Sequence, residues 1–451
     1  MTEERLIVVS GDSHATLHPD SFPEYVEAEY HDLLPEVYED NATFAKLFGS
    51  FANFPPEVLE VIDGEGVWAS GGVSGAWDVD RRLAEMDREG VAAEMIFPGD
   101  ARAILPLVPM LRRYPQDVVA AGVRAYHRWL VDTFGAHSDR MLLVGDPGSG
   151  VDVEAMLAEL RWLGEHGFVA TQVPNVRGRG LRPLHDEYFD PYWSLCEELD
   201  LTVALHAGYG SEQCEFIDKI HEIERNMKAA GRSDLLNELM NTEGFFALDY
   251  RPRQAIWQMM LGGVFDRHPN LRLYLAEIRG DWIPDTFRHL DAVYDRARGS
   301  VAAQRSPSEY WQSNCMTSLS FVHKAEVEMR HEIGVDRIVF GRDFPHAEGT
   351  WPNTADWLTD AFQDVPEDEL RLMLGENAIR FFGLDREKLV AIAARIGPTV
   401  DDVTGRTPTR DENLVAAWDA RGGYLTPREH VDTNAIDALL AQDGIPTGAT
   451  H

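Results

Sequence analysis

The residues best suited to chemistry are carboxylates and imidazoles that stand at the ends of short apolar runs. Leu6-Ile7-Val8-Val9 leads into Ser10-Gly11-Asp12-Ser13-His14. On an extended backbone residues i and i+2 face the same side, so Asp12 and His14 can converge on one point just past the run. A cation is the simplest occupant of such a point. Taken alone, a D-x-H pair describes an exposed polar turn equally well. The pattern recurs, however: His206 ends Leu201–Leu205, Glu277 ends Leu271–Ala276, and Asp343 follows Arg337–Gly341, with His346 three residues further on.

The elements between these residues alternate. Runs of strand length are expected at 6–9, 92–97, 141–145, 168–173, 201–206, 271–277, 314–318 and 337–341, with helical patterns such as 78–89, 111–136, 151–166 and 188–198 between them. Eight such strands with intervening helices predict a (β/α)8 TIM-like barrel, in which the C-terminal strand ends surround one mouth. That architecture would gather Asp12, His14, His206, Glu277 and Asp343 into one site. Buried charges without partners are costly, so packing alone is a poor explanation for them. The barrel is expected over residues 1–384, with cap insertions at about 15–79 and 208–246, after strands one and five. A helical C-terminal extension is expected over 385–451, with helical patterns near 412–420 and 434–442.

Composition bounds the rest. A chain of 451 residues with 44% hydrophobic and 10% aromatic content has material for a large core. Its formal net charge of −35 argues against a nucleic-acid or anionic-membrane surface. No apolar run is long enough to span a bilayer and no signal-like N-terminus is present, so a cytoplasmic protein is expected. Cys196, Cys214 and Cys315 form no CxxC pair and suggest no disulfide framework.

Four ordered motifs carry a family resemblance: Asp12-Ser-His14, His206-Ala-Gly208, Glu277-Ile-Arg-Gly-Asp-Trp282-Ile-Pro284, and Phe340-Gly-Arg-Asp343-Phe-Pro-His346-Ala-Glu348-Gly-Thr-Trp351-Pro352. From about residue 5 to 384 the sequence resembles the amidohydrolase-2 branch of the amidohydrolase superfamily, which includes aminocarboxymuconate-semialdehyde decarboxylase. The resemblance implies a distorted barrel with a divalent metal in its mouth. It puts Asp12 and His14 in the place of the first-strand ligand pair, and matches His206 and Asp343 to the ligands of strands five and eight. Mononuclear decarboxylases of the branch usually carry a catalytic histidine at the end of strand six, where this chain has Glu277.

With Glu277 and His346 added, the donor set becomes large enough for two ions, and its oxygen-rich mixture suits iron or manganese better than a closed zinc site. The D-S-H opening and the E-x-x-x-x-W block are similar to the dinuclear nonheme iron monooxygenase subset, including the platensimycin-biosynthesis diiron monooxygenase. The expectation drawn from this is a two-iron centre that uses dioxygen to hydroxylate an unactivated C–H bond of a small or acyl-type substrate. Asp12, Glu277 and Asp343 would supply oxygen ligands, and His14, His206 and His346 nitrogen ligands. Asp343, Glu277 and His346 would carry catalysis. The competing reading is a manganese- or zinc-dependent hydrolase or nonoxidative decarboxylase with Asp343 as general base. A metal-stabilised scaffold without activity is a third.

Several further residues could serve the site. Glu348 could support His346 from behind. Arg177 and Arg179, with Arg182, could anchor an anionic or acyl-CoA-type substrate, although a solvated loop explains them as well. His221 and Glu224 are spaced to face one side of a helix, a pattern that a solvated polar face also gives. A homo-oligomer is expected by resemblance only.

Overall fold

The computed structural model describes residues 5–39, 42, 56–99, 114–148, 150–174, 182–207, 225–226, 229, 231, 243–319, 321–346, 348–405, 411–425 and 430–448. Arg177, Arg179, Cys214, His221, Glu224 and most of the segment 208–246 lie outside the described residues.

The strands are β1 (Val9–Ser10), β2 (His14–Ala15), β3 (Ala93–Pro98), β4 (Met141–Gly145), β5 (Ala170–Gln172), β6 (Thr202–His206), β7 (Leu273–Ala276) and β8 (Cys315–Thr317). They form one parallel sheet in the order β1-β3-β4-β5-β6-β7-β8, and β2 continues the first strand along β3. Each crossover carries helices, as parallel pairing requires.

Strand periodicity explains the two cores. Along β3, Ala93, Met95 and Phe97 enter one apolar cluster, while Ile96 enters the other. Along β7, Tyr274 and Ala276 join the first set, and Leu273 and Leu275 the second. The first cluster also takes Val9, Val144, Ala170, Ala204, Met316 and Val339, one or two from each strand, and so fills the barrel's interior. The second lies between strands and helices.

The sheet closes without a regular eighth barrel strand. Residues 337–341, expected as a strand, are extended but pair one residue at a time: Val339 N donates to Thr317 O at 2.9 Å, and Gly11 N donates to Phe340 O at 2.7 Å. The reason is competition for their polar groups. Phe340 N is taken by Met373 O at 2.9 Å, and Ile338 O accepts from Asn377 Nδ2 at 2.7 Å, both in the turn and helix that follow. A curled parallel sheet thus closes into a distorted barrel.

Local signals set the helix ends. Asp78 accepts from Asp80 N and Arg81 N to start the helix Val79–Glu89, which stops at Gly90 in a left-handed conformation of φ 74°. Ser306 and Glu309 form a reciprocal cap on the helix Pro307–Asn314. Past residue 384 come the helices Arg386–Ile396, Glu412–Gly422 and Thr433–Gln442. Among the described residues no helix is long and apolar enough to cross a membrane.

Candidate metal centre

The seam where the barrel closes builds the first half of the site. Asp343 N donates to Asp12 O at 3.0 Å and His14 N to Phe344 O at 2.6 Å, so the Asp12–His14 segment and the Asp343–Phe344 segment are zipped together beyond the strand ends. His206 closes β6, and Glu277 follows β7 by one residue. Glu277 and Asp343 both adopt left-handed backbones, with φ of 55° and 52°. For a residue with a Cβ this costs about 1–2 kcal/mol, and such strain collects at functional sites.

The side chains converge. His14 Nε2 lies 3.2 Å from His206 Nε2, 3.3 Å from Asp343 Oδ1, 3.7 Å from Asp12 Oδ1 and 4.0 Å from Glu277 Oε2. His206 Nε2 is 3.2 Å from Glu277 Oε2 and 3.6 Å from Asp12 Oδ1. His346 Nδ1 stands 3.0 Å from Asp343 Oδ1, and its ring stacks on that of His14 with centroids 4.0 Å apart. All six residues expected to be ligands are therefore brought together. Arg182, by contrast, is exposed and engaged with Asp186 and the ring of Tyr188.

The donor set fits a cation. Asp12 Oδ1 and both oxygens of Asp343 are buried and accept no hydrogen bond of good direction, although imidazole nitrogens stand 3.0–3.7 Å away. Two imidazole Nε2 atoms facing each other at 3.2 Å need a proton between them or a shared electrophile. His206 Nδ1 lies 2.9 Å from Ala207 O, and a hydrogen bond there would leave Nε2 as the lone-pair nitrogen.

The electrostatics agree. Burial pulls the His206 imidazole down, but Asp12 and Glu277 reverse this and hold it up at about 9. Burial likewise acts to lower His346, and Asp343 lifts it well above its ordinary value. Burial, then Asp343, pushes the Glu277 carboxyl well above the usual carboxylate range. A site that takes up protons in this way is one in which a cation would displace them.

Four donors suit one ion in two overlapping ways: Asp12, His14, His206 and Glu277, or His14, Glu277, Asp343 and His346. Both sets contain His14 and Glu277.

Behind the centre lies a buried ionic network that the sequence reading missed. Glu94, on β3, accepts from Arg82 Nε at 2.5 Å and from Arg342 Nε at 2.9 Å. Arg342 also reaches Glu89 at 2.8 Å. Arg82 donates to His14 O and Ser13 Oγ, both at 2.7 Å, and Arg342 N donates to Ser10 Oγ at 2.9 Å. The network thus grips the backbone on both sides of the seam. Its one visible signal was an acidic residue within the apolar strand Ala93-Glu94-Met95-Ile96-Phe97.

The family profile described as Amidohydrolase matches residues 12–384. The chain belongs to the amidohydrolase family. Among relatives of this amidohydrolase, 2-amino-3-carboxymuconate-6-semialdehyde decarboxylase of Dictyostelium discoideum is 24% identical over 323 residues, covering 70% of this chain and 79% of the relative. Gamma-resorcylate decarboxylase of Rhodococcus jostii is 27% identical over 249 residues, covering 52% and 68%. In fold, the amidohydrolase barrel is similar to 5-carboxyvanillate decarboxylase of Novosphingobium aromaticivorans, solved with manganese and 3-methoxy-4-hydroxy-5-nitrobenzoic acid. That likeness has a TM-score of 0.58 and 17% identity and covers 85% of this chain and 99% of the other.

These findings correct the expectation of a two-iron monooxygenase. The sequence relatives named above are decarboxylases, and the 5-carboxyvanillate decarboxylase structure was solved with manganese. Within this amidohydrolase the two donor sets overlap at His14 and Glu277, and each offers four donors to one ion. The expectation of an iron pair, and the oxidoreductase reading with it, is not supported, and a site for a single divalent ion is the arrangement the donors fit. The competing decarboxylase or hydrolase reading is the one the comparisons favour.

Proposed function

We propose that this amidohydrolase is a nonoxidative decarboxylase of a small anionic aromatic acid, dependent on one divalent ion, with manganese the first candidate. The observation that carries the reading is the pair of overlapping four-donor sets at the barrel mouth, with both Asp343 oxygens buried and faced by the imidazoles of His14 and His346. The decarboxylase relatives support the reaction class, and the bound nitrobenzoic acid of the structural relative supports the substrate class.

Asp12, His14, His206 and Glu277, with Asp343 and His346 across the same space, are the residues that would hold the ion. When bound, it supplies Lewis-acid polarisation of the substrate's oxygen substituents and neutralises nearby carboxylates. The chain's own work is to hold and move a proton. In nonoxidative decarboxylation the bond from ring carbon to carboxylate breaks, its electron pair stays on the ring carbon, and a proton takes the place of carbon dioxide. His346 Nδ1 and Asp343 Oδ1, 3.0 Å apart, form the pair that would hold that proton beside the ion. No oxidant is consumed.

The test is elemental analysis together with a panel of hydroxybenzoic acids assayed for carbon dioxide release in the absence of oxygen. One manganese per chain, oxygen-independent release and its loss in Asp343→Asn are expected. Two metals per chain, or release that requires oxygen, would overturn the proposal. So would a metal-loaded enzyme that cleaves amides or esters and leaves the aromatic acids intact.

A further inference from the structure

The loop after Asp343 folds back beneath it. Gly349 N donates to His346 O at 3.4 Å, and Thr350 N donates to Arg342 O at 3.0 Å. A Cβ on Gly349 would sit 2.5 Å from Arg342 O, 2.8 Å from Asp343 O and 3.1 Å from Asp343 Cβ. Only a glycine fits, and the position of Gly349 therefore fixes that of Asp343.

What holds Gly349 comes from far along the chain. Arg421, near the end of the helix Glu412–Gly422, is 5% exposed, and its Nη2 donates to Gly349 O at 3.3 Å while Nη1 donates to Trp351 O at 3.4 Å. Glu348 is an electrostatic neighbour of both Arg421 and His346. The helix is itself anchored on two sides. Trp418 packs on Trp357 with ring centroids 4.8 Å apart, Tyr424 packs on Trp357 at 4.6 Å and donates to Asp360, and Ala417 lies in the cluster of Phe344 and Trp351. A buried guanidinium on two carbonyls is costly to keep unless its place matters, since an apolar residue would fill the space without desolvating a charge.

We propose that Arg421 is a positioning residue of the metal centre, a fork from the C-terminal extension that clamps the Gly349 and Trp351 carbonyls and so fixes Asp343 and His346 for the ion. This rests on the metal-centre part of the proposed function, not on the decarboxylation. The extension is then part of the active site and not an appendage. A lysine keeps the charge but not the two-pronged geometry, so it should restore only part of the effect.

The experiment compares the full-length wild type with Arg421→Met, Arg421→Lys and Asp437→Asn. The last removes the charge from the 2.8 Å contact of another extension helix with His289 and touches no part of the centre. Manganese affinity is read by titration calorimetry, alongside kcat, KM and melting temperature. Loss of a residue that supports a ligand typically weakens metal affinity about 10- to 100-fold. That loss is expected for Arg421→Met, with a smaller one for Arg421→Lys, none for Asp437→Asn, and a fall in kcat larger than any rise in KM. Wild-type affinity in Arg421→Met and Arg421→Lys, with melting lowered only as in Asp437→Asn, overturns the proposal. Manganese binding that depends on Arg421 in a protein without decarboxylase activity would sink the reaction and leave the positioning role standing. A wild type that binds no manganese sinks both.

Discussion

Replacing Glu94 by Gln should be among the most damaging single changes outside the ligands themselves. Glu94, Arg82 and Arg342 are all fully buried, and among the described residues Glu94 is the one carboxylate that pairs with Arg82, while Arg342 keeps Glu89. The substitution strands one guanidinium in the interior. Breaking a buried pair from one side costs about 3–5 kcal/mol, against a total stability of about 5–15 kcal/mol. With about 2–4 °C lost per kcal/mol in domains of 150–250 residues, melting should fall by about 6–20 °C, toward the lower end in a chain of 451 residues.

Two further measurements sharpen this prediction. Burial acts to raise the Glu94 carboxyl, but Arg342 and Arg82 outweigh it and hold the group below the usual carboxylate range. Its contribution is therefore fully present above the unfolded value of about 4.3 and is lost only as pH falls through the depressed folded value. The gap between wild type and Glu94→Gln should be flat across neutral pH and narrow only in acid. In a cycle with Arg82→Met and Glu94→Met, the double variant keeps the balanced Arg342–Glu89 pair, so it should be less damaged than the sum of the singles. Additivity within about 0.5 kcal/mol, measured by urea unfolding, would refute the network argument.

Two other outcomes are expected. In the metal-free protein His206 titrates at about 9, above its unfolded value of about 6.5, so its stabilising effect is present below 6.5 and lost as pH rises through 9; melting should fall over that window without metal and recover with manganese, and a metal-free melting curve independent of pH would count against it. In Gly11→Ala the new Cβ would meet Tyr274 Oη at 1.8 Å, a hydroxyl that is itself buried and bonded to Gly11 O at 2.9 Å; a loss of about 1–3 kcal/mol is expected, with partial relief in the Gly11→Ala/Tyr274→Phe pair, and equal stability of the two would sink the explanation.

The candidate ligands other than His346 were legible in the sequence because they stand at or just past the ends of apolar runs, and a barrel turns strand ends into neighbours. His206 needed nothing more than Leu201–Leu205 in front of it. The number of ions was not legible, because residue types do not carry distances. Six donors suggested two metals, yet His14 Nε2 alone lies within 4.0 Å of Asp12, His206, Glu277 and Asp343, which crowds the set around one point. Residues 337–341 read as a strand from their apolar content, but the amide of Phe340 and the carbonyl of Ile338 were claimed from behind. Arg421 was invisible for a different reason. Its meaning depends on two carbonyls about seventy residues earlier, and a carbonyl has no signature in a sequence.

The two left-handed candidate ligands tie these observations together. Glu277 and Asp343 each stand in a conformation that costs about 1–2 kcal/mol, and neither would stay there if the chain beyond it were free. Each is held by a partner further along. After Glu277, Gly280 N is taken by the buried Glu326 carboxylate at 2.7 Å. After Asp343, Gly349 is pressed against its backbone and Arg421 holds Gly349. Strain at the ligand is thus offset by polar contacts made outside the ligand shell, and those contacts are buried, where they are strongest. These contacts are made by the chain itself and not through an ion, so the affinity lost by weakening one of them measures how far it preorganises the donors.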